Sequence, residues 1–127
     1  MRVLLAEDNV INQTVAVALL DYAGAIVTVA GDGAEAVARL RRDPAGCDAV
    51  LMDVQMPVMD GLAATREIRH ALALALPVIA MTAGVTQDER DACTAAGMDD
   101  FIAKPIDEDE LIDVLRKHWR RPPTGAP

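Results

Sequence analysis

An α/β fold built on one parallel sheet is predicted by three observations. Five short apolar runs alternate with five segments of helical pattern. The runs are nearly continuous in apolar residues, as strands covered on both faces must be. The chain has 127 residues, 52% of them apolar, enough for one core without disulfides or metal staples. Alternating β and α units in this number imply a single doubly wound (βα)5 domain with right-handed crossovers.

The strands are read at "VLLA" (3–6), "IVTVA" (26–30), "AVLMD" (49–53), "VIAMT" (78–82) and "FIA" (101–103). Asn9 stands where it can cap the first helix, whose Val15, Ala16, Leu19 and Leu20 form a stripe toward the core. Asp32 with Glu35, Thr86 with Glu89 and Asp107 with Glu110 have the spacing of a capping box and mark three further helix starts. Asp60, before Gly61 and "LAATREIR", is the expected cap of the third helix. Gly24 and Gly97 follow helical patterns where a left-handed residue ends the helix. The segment "HALALALP" (70–77) reads both as a helix tail and as an alternating strand, and a helix frayed before Pro77 is the expectation. Residues 1–119 are then the domain, and the Pro-rich 120–127 a tail or linker.

Composition removes several functions. Only three aromatics (Tyr22, Phe101, Trp119) and a net charge of −8 argue against binding nucleic acid, which rests on clustered Lys and Arg. The arginines fall mostly near helix C-termini, where they complement the helix dipole. Cys47 and Cys93 lack metal-type spacing and read as reduced core thiols. Glu7 and Asp8 would interrupt a leader sequence, and the longest uncharged stretch, Ala71 to Gln87, contains Pro77. A soluble cytoplasmic protein with no direct membrane contact is expected.

The chemistry gathers at strand C-terminal ends. The first strand runs into Glu7-Asp8, the third ends in Asp53, the fourth in Thr82, and the fifth runs into Lys104-Pro105. Ligands of open α/β sheets bind beyond these ends, where strand order reverses. An order 2-1-3-4-5, taken from doubly wound (flavodoxin-like) sheets rather than read from the residues, brings Glu7, Asp8 and Asp53 together there. Three carboxylates in one crevice repel one another unless a cation neutralises them. Mg²⁺ suits the oxygen donors, with Mn²⁺ able to substitute. With a lysine and a threonine hydroxyl beside it, a carboxylate nucleophile is equipped for phosphoryl transfer.

"LLAEDN" (4–9), "LMDVQMPVMDG" (51–61), "VIAMTA" (78–83) and "GMDDFIAKPID" (97–107) closely resemble the receiver domains of two-component response regulators, over residues 2 to 118. "EDN" with Asn12-Gln13 and "MDVQMPVMDG" is most similar to the receivers of hybrid histidine kinases. The resemblance implies that Asp53 takes phosphoryl from a phosphohistidine of a histidine kinase or histidine phosphotransfer domain. It implies Mg²⁺ on Asp8, Asp53 and the Gln55 carbonyl, with Glu7 acting through water. Thr82 and Lys104 would contact the phosphoryl oxygens, a cis Lys104–Pro105 bond would help aim the lysine, and Phe101 would be the aromatic switch. Gln55 and Gly84 occupy positions that in this family tune dephosphorylation, and the small Ala83 would leave the phosphoryl group room. Output, including homodimerisation, would use the fourth helix, fifth strand and fifth helix. Ile11, Asn12 and Val15 are the expected docking residues for a four-helix phosphotransfer partner.

Two other readings compete with a hybrid-kinase receiver. One is a stand-alone response regulator acting on a protein partner. The other is a turnover enzyme, an Asp-nucleophile phosphatase, which the haloacid-dehalogenase pattern disfavours because Gln55 replaces its second acid. A phosphoacceptor that assists its own phosphorylation, rather than a turnover enzyme, is expected.

Overall fold

The computed structural model describes residues 1–84 and 86–118. The tail expected over 120–127, and with it the boundary at 119, lies outside the described residues. Five parallel strands, β1 (Arg2–Ala6), β2 (Ile26–Ala30), β3 (Ala49–Asp53), β4 (Val78–Thr82) and β5 (Asp100–Ala103), form one sheet of order β2-β1-β3-β4-β5. The helices are α1 (Val10–Tyr22), α2 (Gly33–Arg42), α3 (Gly61–Arg66), α4 (Gln87–Ala96) and α5 (Glu108–His118).

Alternate strand residues face opposite sides, so the sheet divides the interior into two cores. Leu4, Ala6, Val50, Met52, Val78 and Ala80 pack against α2, α3 with the turn that follows it, and α4, through Val37, Leu40, Ala64, Ile68 and Cys93. Val3, Leu5, Leu51, Ile79, Met81 and Ile102 pack against α1 and α5 through Ala16, Leu20, Leu111 and Leu115. Every residue of β3 and β4 is buried, which explains their unbroken apolar runs. β2 lies at the sheet edge, and its Ile26 and Thr28 are exposed while Val27 and Val29 are half-buried.

The helix starts follow local chemistry. Asn9, Asp32, Asp60 and Thr86 each accept a hydrogen bond from the backbone N–H three residues on, as does Asp107 from Glu110. Gly24 (φ 89°) and Gly97 (φ 105°) adopt the left-handed conformation after α1 and α4.

Three expectations are corrected. Val15 is 46% exposed, so the buried stripe of α1 is Ala16 and Leu20 with Leu19 half-buried, and Val15 falls outside the arc facing the sheet. The third helix does not fray up to Pro77. It widens into a π-helical turn over Glu67–Ala71 and ends there, six residues earlier. Residues 72–76 then alternate with neither helix nor strand: Leu72, Leu74 and Leu76 turn inward against the core while Ala73 and Ala75 are exposed.

Arg69 explains how this irregular segment is held, and it is not the dipole partner that its place near a helix end suggests. Its Nη1 donates to the carbonyls of Leu74 (2.9 Å) and Leu76 (2.8 Å), and its Nε to Gly97 (2.9 Å). Its Nη2 meets Asp99 Oδ2 at 2.7 Å, and that oxygen also accepts the Val78 N–H at the start of β4. One planar guanidinium thus satisfies carbonyls that no ladder reaches, a task an ammonium's point charge cannot share out. Arg69→Lys should therefore lower unfolding free energy by about 2 kcal/mol in urea denaturation, with the loss of two or more charge-assisted hydrogen bonds.

Candidate functional site

Five residues of the cleft are placed by the C-terminal ends of four strands. Glu7 prolongs β1, its N–H donating to Ala30 O at 3.0 Å, and Asp8 follows at the surface. Asp53 is the last residue of β3 and Thr82 the last of β4, only 4% and 6% exposed. Lys104 follows β5, its N–H bonded to Thr82 O at 2.8 Å, and the Lys104–Pro105 bond is cis.

These side chains converge. Lys104 Nζ lies 2.8 Å from Asp53 Oδ2 and 2.9 Å from Glu7 Oε1, linking the edge of the sheet to its centre. Asp53 Oδ1 accepts the Gln55 N–H at 3.1 Å, and Glu7 Oε2 accepts the Asn9 N–H at 3.2 Å. Each buried carboxylate therefore has both oxygens partnered, as burial of a charge demands. Burial by itself would lower the Lys104 pKa, but the hydrogen bonds and charges of Asp53 and Glu7 outweigh it and hold the ammonium above its ordinary value.

Glu7, Asp8 and Asp53 present carboxylate oxygens within 4.8 Å of one another. One lysine against three acids leaves the cleft negative, so an oxygen-seeking divalent cation fits it in charge and donor type. Gln55 adjoins Asp53 on the same wall, and a cavity of about 240 Å³ opens between these groups, Asn12, Ala83 and Gly84.

The β3–α3 loop is pinned close beneath the site. Gly61 N donates to Val54 O at 2.9 Å, and a Cβ on Gly61 would collide with the Asp53 carbonyl oxygen. Asp60 caps α3 through the Ala63 N–H (2.8 Å) and takes no part in the acidic cluster, so the two aspartates of "DVQMPVMD" have separate work. Between them Val58 has φ 68° and is 85% exposed, within a tight turn closed by Met59 N to Pro57 O at 2.7 Å.

Of the remaining sequence-derived residues, Phe101 is half-buried on β5 beside α4, with the Arg90 guanidinium 5.8 Å from its ring centroid. Ile11 is 74% exposed on the first turn of α1 and Val15 lies one turn on. Val10, 71% exposed on the same turn, was missed, because a single apolar residue at a helix start carries no pattern.

Glu89 is the other residue missed. Read as a capping partner of Thr86, it instead brings Oε2 to 2.7 Å from the Thr82 hydroxyl and lines the cavity. No local spacing announces this contact, which depends on how α4 docks over β4.

Residues 3–116 match the family model described as response regulator receiver domain. "Two-component system protein A" of Emericella nidulans is 47% identical over 116 residues, 91% of this chain but 17% of that protein. "Two-component response regulator ORR41" of Oryza sativa subsp. japonica is 44% identical over 119 residues, 92% of this chain and 93% of that protein. The solved receiver domain of sensor histidine kinase PA1611 from Pseudomonas aeruginosa PAO1, with a magnesium ion coordinated in its active-site cleft, superposes with a TM-score of 0.82 at 44% identity, covering 92% and 95% of the two chains. The receiver domain of Saccharomyces cerevisiae Ssk1, solved with the histidine phosphotransfer signaling protein Ypd1, gives 0.86 at 26%, covering 93% and 88%.

Because folding raises the Lys104 pKa, its bridge contributes stability in full below the unfolded lysine value of about 10.4. That contribution is lost as pH rises through the folded value. Urea titrations should show the wild type shedding, above about pH 10.5, stability that Lys104→Met never had.

Proposed function

The chain belongs to the response regulator receiver domain family, and from that premise we propose that it accepts a phosphoryl group on Asp53 from a phosphohistidine, in a Mg²⁺-dependent reaction. The observation that carries this reading is Lys104, which reaches from behind β5 to touch both Asp53 and Glu7 in the acidic cleft. An Asp53 oxygen attacks phosphorus in line, the P–N bond breaks, and its electron pair stays on the donor imidazole. The product is an aspartyl phosphate. The Lys104 ammonium neutralises charge gathering on the phosphoryl oxygens, and Thr82 supplies a hydroxyl donor.

Asp8, Asp53 and the Gln55 carbonyl are the residues that would hold Mg²⁺, with Glu7 acting through a water as the family resemblance implies. The cation would supply positive charge to the phosphoryl oxygens. Support comes from the three converging carboxylates and from the magnesium in the PA1611 receiver cleft. Thr82 moving toward the phosphoryl group, with Phe101 repacking, would alter the face formed by α4, β5 and α5, through which partners or a second copy could read the state. The free thiols of Cys47 and Cys93 fit a reducing compartment such as the cytoplasm.

We read the chain as the receiver of a hybrid histidine kinase, in keeping with the kinase-derived PA1611 receiver. A stand-alone regulator is the second reading, and the rice relative, spanned almost end to end, favours it. The length of the native transcript decides between the two. In either case this domain is read as a phosphoacceptor that assists its own phosphorylation rather than as a turnover enzyme, while a hybrid parent chain would itself be a histidine kinase.

The donor is a histidine phosphotransfer domain or kinase docking over Val10, Ile11 and Val15, exposed apolar side chains beside the cleft residue Asn12. The Ssk1 receiver crystallised with Ypd1 supports such a partner.

Incubated with a phosphorylated histidine phosphotransfer protein and Mg²⁺, the wild type should acquire label that Asp53→Asn does not. Label retained on Asp53→Asn would assign the chemistry elsewhere. Ile11→Glu should slow the transfer roughly tenfold, as loss of an interface anchor does, while its melting temperature stays at the wild-type value.

A further inference from the structure

The Thr82 hydroxyl is already engaged, by Gly84 and Glu89 rather than by Asp53. Its oxygen lies 2.7 Å from Gly84 O and 2.7 Å from Glu89 Oε2, and it accepts the Gly84 N–H at 3.3 Å. A hydroxyl has one proton to donate. Here that proton is held between a carbonyl of the β4–α4 loop and a carboxylate of α4. Thr82 cannot serve a phosphoryl oxygen until both let go.

Glu89 also sits three residues after the α4 cap. Thr86 Oγ1 accepts the Glu89 N–H at 3.2 Å, which is half of a capping box. In the other half, the glutamate carboxylate takes the Thr86 N–H; Glu89 reaches to Thr82 instead. The carboxylate thus has two alternative destinations, both charge-assisted hydrogen bonds of similar strength. Gly84 adjoins this carboxylate: a Cβ there would stand 3.6 Å from both Glu89 oxygens, in ordinary van der Waals contact.

We propose that Glu89 is a positioning residue for the phosphoryl reaction: it holds the Thr82 hydroxyl on the α4 side of the cleft until an anion on Asp53 claims it, and then closes the capping box on Thr86. The proposal rests on the reading of Asp53 as phosphoacceptor. Both Asp53 and Glu89 line the same cavity of about 240 Å³. A phosphoryl group brings roughly two negative charges into it, attracting the Thr82 proton and repelling the Glu89 carboxylate. The two effects act in one direction, and they differ between the two states, as a population shift requires. Completion of the capping box would then tighten the first turn of α4.

Calorimetric titration with Mg²⁺ and beryllofluoride, a phosphoryl mimic, tests this without turnover. Glu89→Ala should bind roughly fivefold tighter than wild type, equal to about 1 kcal/mol at RT ln 10 per decade. Glu89→Gln, which keeps an uncharged acceptor, should fall between and carries the test if the alanine variant does not fold. The gain must vanish when Thr82→Ala is present, because the effect passes through that hydroxyl. In ¹H–¹⁵N spectra the Thr86 amide should shift on beryllofluoride addition in wild type and stay fixed in Glu89→Ala.

An affinity unchanged by Glu89 substitution, or a gain that persists with Thr82→Ala, would overturn the proposal and leave the Asp53 reading standing. Failure of wild type to bind, or binding that survives Asp53→Asn, removes the Asp53 reading and this proposal together.

Discussion

The ammonium of Lys104 is the constraint around which the cleft is built. It leaves the chain beyond the edge strand β5, passes the end of β4, and ends between carboxylates carried by β3 and by the extension of β1. That reach depends on β1, β3, β4 and β5 lying side by side in this order. Asp53 and Glu7 can be buried at 4% and 1% exposure because this one cation faces both. Removing one partner of such a set leaves an uncompensated buried charge, whereas apolar residues replacing the whole set would serve stability about as well. The cluster is therefore best understood as machinery, carried by the apolar layers below it.

Those layers are aliphatic and close-fitting. Alanines at positions 6, 30, 49 and 80 are fully buried in the sheet. The approach of Gly61 to the Asp53 backbone extends the same economy to the loop under the site. The main chain of Asp53, the proposed nucleophile, is held by pairing with β4 and is closely approached by Gly61, while its side chain faces the open cavity. Rigid support below and space above suit the proposed gain and loss of a phosphoryl group in one geometry.

What could be read from the residues was what local physics decides. Parallel strands covered on both faces leave unbroken apolar runs, and N-caps leave Asn, Asp or Thr at fixed offsets, so all five strands and the helix starts were legible. The polar residues after each run were legible too, because strand ends are where an open sheet exposes function. Failures came where a distant group settled the outcome. The "ALALAL" segment satisfies its carbonyls through Arg69, so its alternation resembles a strand that is not there. Val15 keeps helical spacing but lies outside the arc that faces the sheet. Glu89 has perfect capping spacing, yet its carboxylate goes to a strand end. In each case periodicity was present and the tertiary partner was invisible.

Phe101 has a consequence of a different kind. It is the chain's single phenylalanine, placed on the edge strand under the Arg90 guanidinium and beside α4, the helix that carries Glu89. Biosynthetic fluorination of phenylalanine would give this protein one ¹⁹F resonance and no background. The scarcity of aromatics in the core thus leaves a solitary spectroscopic label at the boundary between the chemical cleft and its proposed output face. Ring-environment changes could be followed there in real time, without attaching a dye to the surface that partners would use.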